Sequence, residues 1–397
     1  MKKLTISTHG GTMDNGLRSN LPSEIIIDVL CRLPVKSLCR FKCVSHSWEI
    51  LISSPRFAQA RLRRITGSDN PPPKAILFSH SSDLYTLDFA DTNPTPKKLN
   101  LPSWLFNHMD PWSKSLSSCN GLVLVSDEYY FNLLLNPSTF EYKELPTPFH
   151  EDSSDDIFEE PVLGYDSYAN DYKVVLLVHR NDNPGHVDIV AVYSLKTDAW
   201  RMIQDFPPSP VVSCRGVCYN ERIHWLCERT GGLDHSRVVV AFSLADEIFE
   251  EVHLPAVDDG HEYEGSSHHM VVLGGCLCLV VRWAYGQIDV WMMMMYGVRE
   301  SWSKFSTTLL QWSIGWSLLG VLCLSTQEEL VLGRKMFFGV GTIPPGFEGD
   351  KLILYNPKEG TWRDVAVPGI PPKSLVGDHY IETLVSPNRG VRISEIM

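Results

Sequence analysis

The sequence predicts an α+β chain with the two classes in separate domains: a small all-α unit near the amino end, followed by an all-β propeller of about six blades. Three observations predict it. Apolar residues recur at helical spacing between Leu21 and Arg64. Beyond Lys74 the pattern changes to short runs of Val, Ile, Leu, Tyr and Trp separated by turn residues. Those runs also repeat. A length of 397 residues suits one small domain beside a large one, and 44% apolar with 21% charged residues is ordinary for a globular chain, so neither disorder nor a fibrous class is expected.

Taken in order, residues 1–18 have a basic start but no apolar core of a secretory signal, and are expected to form a flexible tail. Residues 19–65 form the helical domain. Ile26, Val29, Leu30 and Leu33 make one stripe, Leu38, Phe41 and Val44 a second, and Trp48, Leu51 and Ile52 a third. Pro22 and Pro34 stand where a helix start tolerates proline, and Ser45 is placed to cap the helix that carries Trp48. A fourth, basic helix lies around "PRFAQARLRR", and "GSDNPPPK" then marks a linker over residues 66–74.

Residues 75–390 form the β domain. The segments "LLLNPSTFEYKELP", "VYSLKTDAWRMIQDFP", "AFSLADEIFEEVHLP", "VWMMMMYGVRESWSKF" and "LYNPKEGTWRDVAVP" each read as strand, polar turn, aromatic and closing strand. Their aromatic positions, assigned as Phe140, Trp200, Phe249, Trp302 and Trp362, are 49 to 60 residues apart, the repeat of a four-stranded kelch-type blade. An earlier copy, "LYTLDFADTNPTPKKLNLP", makes six, and "HYIETLV" is placed to pair with the first blade and close the ring. The tryptophans are expected in blade cores, as is the run Met292 to Met295.

Three helices of about ten residues each bury too little surface to be comfortably stable alone. The apolar surface between Leu33 and Trp48 is therefore expected to meet another protein.

At this point the residues carry a resemblance. "LPSEIIIDVLCRLPVKSLCRFKCVSHSWEILISSPRF" resembles the F-box of plant F-box proteins, with the Leu-Pro opening, "RLPVKSL", "RFKCVS", Trp48 and "SPRF" in the same order and spacing. "SCNGLV", "NPSTFEYKELP", "GYDSYANDYKVV" and "VYSLKTDAWR" resemble the F-box-associated domain of that family. The resemblance implies a non-catalytic, substrate-recognition subunit of an SCF-type ubiquitin ligase. Its F-box would dock a Skp-family adaptor, and through it a cullin, while the propeller would hold an unidentified target in the cytoplasm, the nucleus or both. By that likeness the docking positions are Leu21, Pro22, Ile26, Val29, Leu30, Leu33, Pro34, Leu38, Phe41, Val44 and Trp48, some of which also pack the F-box itself.

Other chemistries lack a pattern. A net charge of −12 without a basic stripe gives no source for nucleic-acid binding. The longest apolar run, Val271 to Val281, is shorter than a bilayer-spanning helix and reads as a core strand, so no membrane partner is expected. The ten cysteines sit in apolar segments and are expected reduced and buried. None forms the paired Cys-x-x-Cys of a RING zinc site. The histidine-rich "HEYEGSSHHM" and the acidic "HEDSSDDIFEE" are expected to be solvated loops. There is no Gly-x-Ser-x-Gly elbow, and "HGGTMDNG" lacks the strand and helix of a phosphate loop. No catalytic residue, cofactor or metal is assigned. The alternatives are a sugar-binding or enzymatic propeller, or an F-box scaffold acting outside the ligase.

Overall fold

Proline presets φ near −65°, and the chain uses it twice to open a helix: Pro22 and Pro34 stand at the N-cap positions of α1 (Ser23–Cys31) and α2 (Val35–Phe41), with φ of −52° and −57°. Ser45 caps α3 (His46–Ser53), its Oγ accepting from the Trp48 amide at 3.3 Å, and α4 (Pro55–Thr66) follows after one residue. The computed structural model describes residues 22–66, 74–78, 83–89, 95–106, 115–127, 131–148, 157–158, 160–179, 187–203, 210–212, 214–229, 237–255, 267–283, 287–309, 317–324, 329–336, 351–365 and 376–388. Leu21, the expected amino-terminal tail and most of the linker lie outside these residues. No described helix is long and apolar enough to cross a membrane.

The helices enclose a small core of Leu30, Cys31, Leu38, Ile52 and Phe57, with the Phe41 and Trp48 rings edge to face at 5.4 Å on its margin. Behind them stand six antiparallel sheets. Blade 2 is Ser115–Cys119, Leu122–Ser126, Asn132–Asn136 and Glu141–Glu144. Blade 3 opens with Ile157–Phe158 and Val162–Asp166, both paired to Asp171–His179, and continues through Val187–Ser194 and Ala199–Ile203. Blade 4 opens with Pro210–Val212 and Val217–Tyr219, then Arg222–Arg229, Arg237–Ser243 and Phe249–Val252. Blade 5 is Ser267–Leu273, Cys276–Arg282, Gln287–Met293 and Trp302–Leu309, and blade 6 is Ser317–Leu324, Leu330–Met336, Lys351–Asn356 and Thr361–Val365.

Blade 1 is composite. Val376–Tyr380 pairs with Lys74–Phe78, which pairs with Leu84–Asp88 and then Lys97–Lys98, so the last described strand closes the ring on the first. The pairing covers only the first two residues of the predicted segment "HYIETLV" and starts three residues upstream of it. Opening strands of neighbouring blades touch around a complete circle, which places them innermost.

The turn between third and fourth strands is nearly the same in four blades. Asn136, Ser194, Ser243 and Asn356 each offer the main-chain carbonyl to the amide four residues on, at 2.9 Å in every case. The accepting turn forces a positive φ at that fourth position, which is occupied by Phe140 (62°), Asp198 (56°), Glu247 (58°) and Gly360 (66°). The blade aromatic comes two residues later, where Trp200, Phe249 and Trp362 pair with Tyr193, Phe242 and Tyr355. The matching residue of blade 2 is therefore Tyr142, paired with Leu135, and the sequence assignment of Phe140 is corrected by two positions. Phe140 lies in the turn and is half exposed.

Further expectations change. Val271 to Val281 is a hairpin turned at Gly274 and Gly275 rather than one strand. His268 and His269 lie in the innermost strand of blade 5 and not in a loop; the rest of the histidine-rich stretch before Ser267 lies outside the described residues. Met292 and Met293 are buried, but Met294 and Met295 stand out in the following turn, and Trp362 is 47% exposed. Of the acidic stretch, Ile157–Phe158 is a short strand, Glu160 is exposed, and the other acidic residues lie outside the described set.

Indoles also join blades. Trp200 Nε1 donates to the carbonyl of Pro146 at the end of blade 2 (2.6 Å), and Trp302 Nε1 to that of His253 at the end of blade 4 (2.9 Å). Lys173, nearly buried, binds Asp166 (2.8 Å) in its own hairpin and Glu247 (3.1 Å) with the Leu244 carbonyl (2.5 Å) in the next blade.

Candidate functional site

Two regions concentrate candidate functional side chains. The first is the helical unit. An amphipathic helix buries one stripe, and here Leu30 (2% exposed) and Leu38 (0%) take the inward positions of α1 and α2. Ile26, Leu33, Phe41 and Trp48 are half-buried around them. Pro22 and Pro34 are exposed at the two helix starts, and Val29 (51%) and Val44 (65%) stand out into solvent. Among the sequence-assigned residues, then, Pro22, Val29, Pro34 and Val44 offer free surface, the half-buried four offer an edge, and Leu30 and Leu38 support them from beneath.

Sequence reasoning passed over Ile25 (47%) and Ile50 (59%), which extend the same exposed apolar set. Ile25 stands four residues before Val29, on the same helical face, so the spacing carried the signal. Beside them Asp28 accepts from Arg32 Nε (3.1 Å) and Nη2 (2.9 Å), and the Arg32 guanidinium holds its carboxyl below the usual range.

α4 is different in kind. Phe57 faces the helical core, whereas Ala58 and Leu62 pack into the core between blades 2 and 3 with Leu122, Leu134, Tyr172 and Leu195. Gln59 Nε2 donates to Asn170 in a blade 3 turn. The described turns between first and second and between third and fourth strands open on this face, because antiparallel strands alternate in direction; second strands end and third strands begin on the opposite face. The helical unit is thus seated on the short-turn face while α1 to α3 keep apolar residues in solvent.

The second region is the centre of the ring, a cavity of about 210 Å³ among the opening strands of blades 1, 2, 4 and 5. Asp378 is its most connected group. Burial pushes its carboxyl up, but the hydrogen bond and charge of His379, the Arg215 guanidinium and the Ser118 amide together hold it below the ordinary carboxylate value. Ser118 N donates to Asp378 at 2.9 Å, His379 Nδ1 approaches it at 3.0 Å, and Arg215 stands at 3.5 Å with its other side against Glu160 at 3.3 Å. Burial lowers the His269 imidazole to about 4, and its Nε2 has no hydrogen-bond partner among the described residues. The Ser118 hydroxyl donates to the His379 carbonyl (2.7 Å), not to an imidazole, so these side chains do not form a nucleophile relay. No group of three metal-ligating side chains is found among the described residues.

Comparison with known proteins joins the two halves. The family profile "F-box domain" matches residues 18–59, and "F-box associated beta propeller domain" matches residues 76–329. The F-box protein At3g07870 of Arabidopsis thaliana is 28% identical over 411 residues, covering 93% of each chain. F-box protein CPR1 of the same plant is 30% identical over 339 residues, covering 79% of each. Among solved structures, the SapL1 lectin in complex with α-methyl fucoside aligns with a TM-score of 0.44 at 10% identity, over 75% of this chain and 97% of that one, which is too loose to carry an argument. The chain therefore belongs to the plant F-box proteins that carry an F-box-associated β-propeller domain.

Proposed function

We propose that this protein is the substrate-recognition subunit of an SCF-type ubiquitin ligase, a receptor with no catalytic side chain of its own. Helices α1 to α3 dock a Skp-family adaptor, and the adaptor joins the receptor to a cullin. The propeller holds the target, and the reaction takes place in the cytoplasm, the nucleus or both. The observation that carries this reading is the divided burial of the helical unit. One side is committed to the propeller through α4, while Ile25, Val29, Val44 and Ile50 remain exposed on a unit too small to waste apolar surface. Membership of the F-box family supports the same assignment.

Such a receptor works by geometry. Holding target and charged conjugating enzyme in one assembly replaces a bimolecular encounter with an effectively intramolecular one, at local concentrations of about a millimolar for short tethers. A six-sheet ring is stiff enough for that task. In this reading the target is held on the face turned away from α4, which the described helices leave uncovered.

Affinity purification of the full chain from plant cells with the proteasome blocked tests the proposal. A Skp-family adaptor and a cullin should be recovered together with proteins that accumulate only under blockade. Recovery of the chain without adaptor or cullin would refute it.

A further inference from the structure

Arg61 ties the two units together through main-chain oxygens. It projects from α4 and is 6% exposed; Nη1 donates to the Glu382 carbonyl at 2.7 Å and Nη2 to the Leu33 carbonyl at 3.3 Å. Leu33 follows the C-cap of α1 and precedes Pro34, within the proposed docking surface, and Glu382 stands two residues beyond the strand that closes the ring. A buried guanidinium is costly to desolvate, and burial lowers its affinity for the proton while the nearby Glu382 charge raises it. The Glu382 carboxylate is itself bound to Lys74 Nζ at 2.7 Å, so Arg61 is left to read carbonyl positions, one in each unit.

The segment after the closing strand makes the same connection with side chains. Leu384 packs against the helical core, and Val385 joins Ala58 and Leu62 in the core between blades 2 and 3. Asn136 Nδ2 donates to the carbonyls of Thr383 (3.1 Å) and Val385 (2.7 Å), fixing this segment to blade 2. Gly121 comes so close that a Cβ there would lie 2.3 Å from Thr383 Cγ2. One short stretch thus touches α4, the helical core, blade 1 and blade 2.

We infer that Arg61 and residues 381–386 form a strut that holds the docking surface in one orientation to the propeller, and that they thereby position the target's lysines for ubiquitin transfer. This rests on the ligase reading above. Arg61 is a positioning residue: its hydrogen bonds go to main-chain carbonyls, one in each unit. A strut explains why a charged side chain is buried between two units that apolar contacts alone could hold together, because two directional bonds fix an angle where packing fixes only proximity.

Single-molecule energy transfer between dyes on non-natural amino acids at Lys36 of α2 and Glu300 of blade 5, both exposed, tests the strut in the full chain. The wild type should give one narrow distance distribution and Arg61→Met a broad one. Arg61→Lys, which retains one of the two bonds, should fall between. Leu384→Ala should broaden the distribution independently, and serves if Arg61→Met does not fold. In a reconstituted ligase, adaptor and target Kd should stay within about twofold, while transfer slows about tenfold and spreads over more target lysines. Narrow distributions in both Arg61→Met and Leu384→Ala would overturn the strut. So would a broad one with wild-type rate and lysine pattern. Failure of the wild type to bind any adaptor would instead sink the ligase reading, and the dye distances would still decide the strut.

Discussion

Replacing Val29 and Val44 together by serine separates docking from folding. Full burial of a valine contributes about 1.5 to 2 kcal/mol. Val29 and Val44 keep 51% and 65% of their surface in solvent, so each has about 1 kcal/mol still to gain when a partner covers it. Losing both should weaken adaptor binding by about 2 kcal/mol, or about thirtyfold in Kd. The fold itself should hardly change, by less than about 0.5 kcal/mol, because neither side chain contributes to the helical core. Leu38→Ala is the opposite case. Its side chain is fully buried, so truncation should cost about 2 to 5 kcal/mol of stability of the helical unit and affect docking only through unfolding. Isothermal titration with a purified Skp-family adaptor, beside chemical denaturation of each variant, reads both quantities. Wild-type adaptor affinity in the valine variant, or native stability in Leu38→Ala, would refute the reasoning.

Four other outcomes are expected. Gly121→Ala places a methyl 2.5 Å from the Ile381 carbonyl oxygen at a φ of +82°, and should lower the urea stability by about 3 kcal/mol; Gly297→Ala, at +77° with open space, should cost only about 1 kcal/mol. Phe140→Gly relieves a left-handed φ of 62° on a half-exposed side chain and should stabilise by about 0.5 to 1 kcal/mol, whereas Tyr142→Ala should destabilise by about 2 kcal/mol, in the same denaturation assay. Burial pushes the His224 imidazole down to about 4, so the unfolded chain binds the extra proton first; melting temperature should fall as pH drops from 6.5 toward 4, with about 3 kcal/mol at stake, and His224→Gln should flatten that slope. A fragment starting at Lys74 should melt below one starting at Ser54, because only the longer keeps Ala58 and Leu62 over the core between blades 2 and 3.

Much of the architecture was legible in the sequence because its signals are local. Pro22, Pro34 and Ser45 mark helix starts through their own chemistry, and the blade repeat shows because four of the six blades reuse one turn. Phe140 misled for a physical reason: an aromatic at the left-handed position is rare, and one residue type cannot reveal the sign of its φ. The proposed docking surface was half legible. Helical spacing finds apolar stripes, but Leu38 and Val44 share a stripe and differ completely in exposure, since that is decided by which neighbours fold over them. Arg61 was illegible. It reads as one more charge on a basic helix, and its burial depends on Glu382, more than three hundred residues away.

The closing strand makes the ring depend on residues made some three hundred positions after its first strand. Until Val376–Tyr380 has left the ribosome, Lys74–Phe78 carries a bare edge able to pair with other chains, and Arg61 has no Glu382 carbonyl to bind. A message cut short upstream of codon 376 would therefore yield neither a sealed ring nor a firmly seated F-box.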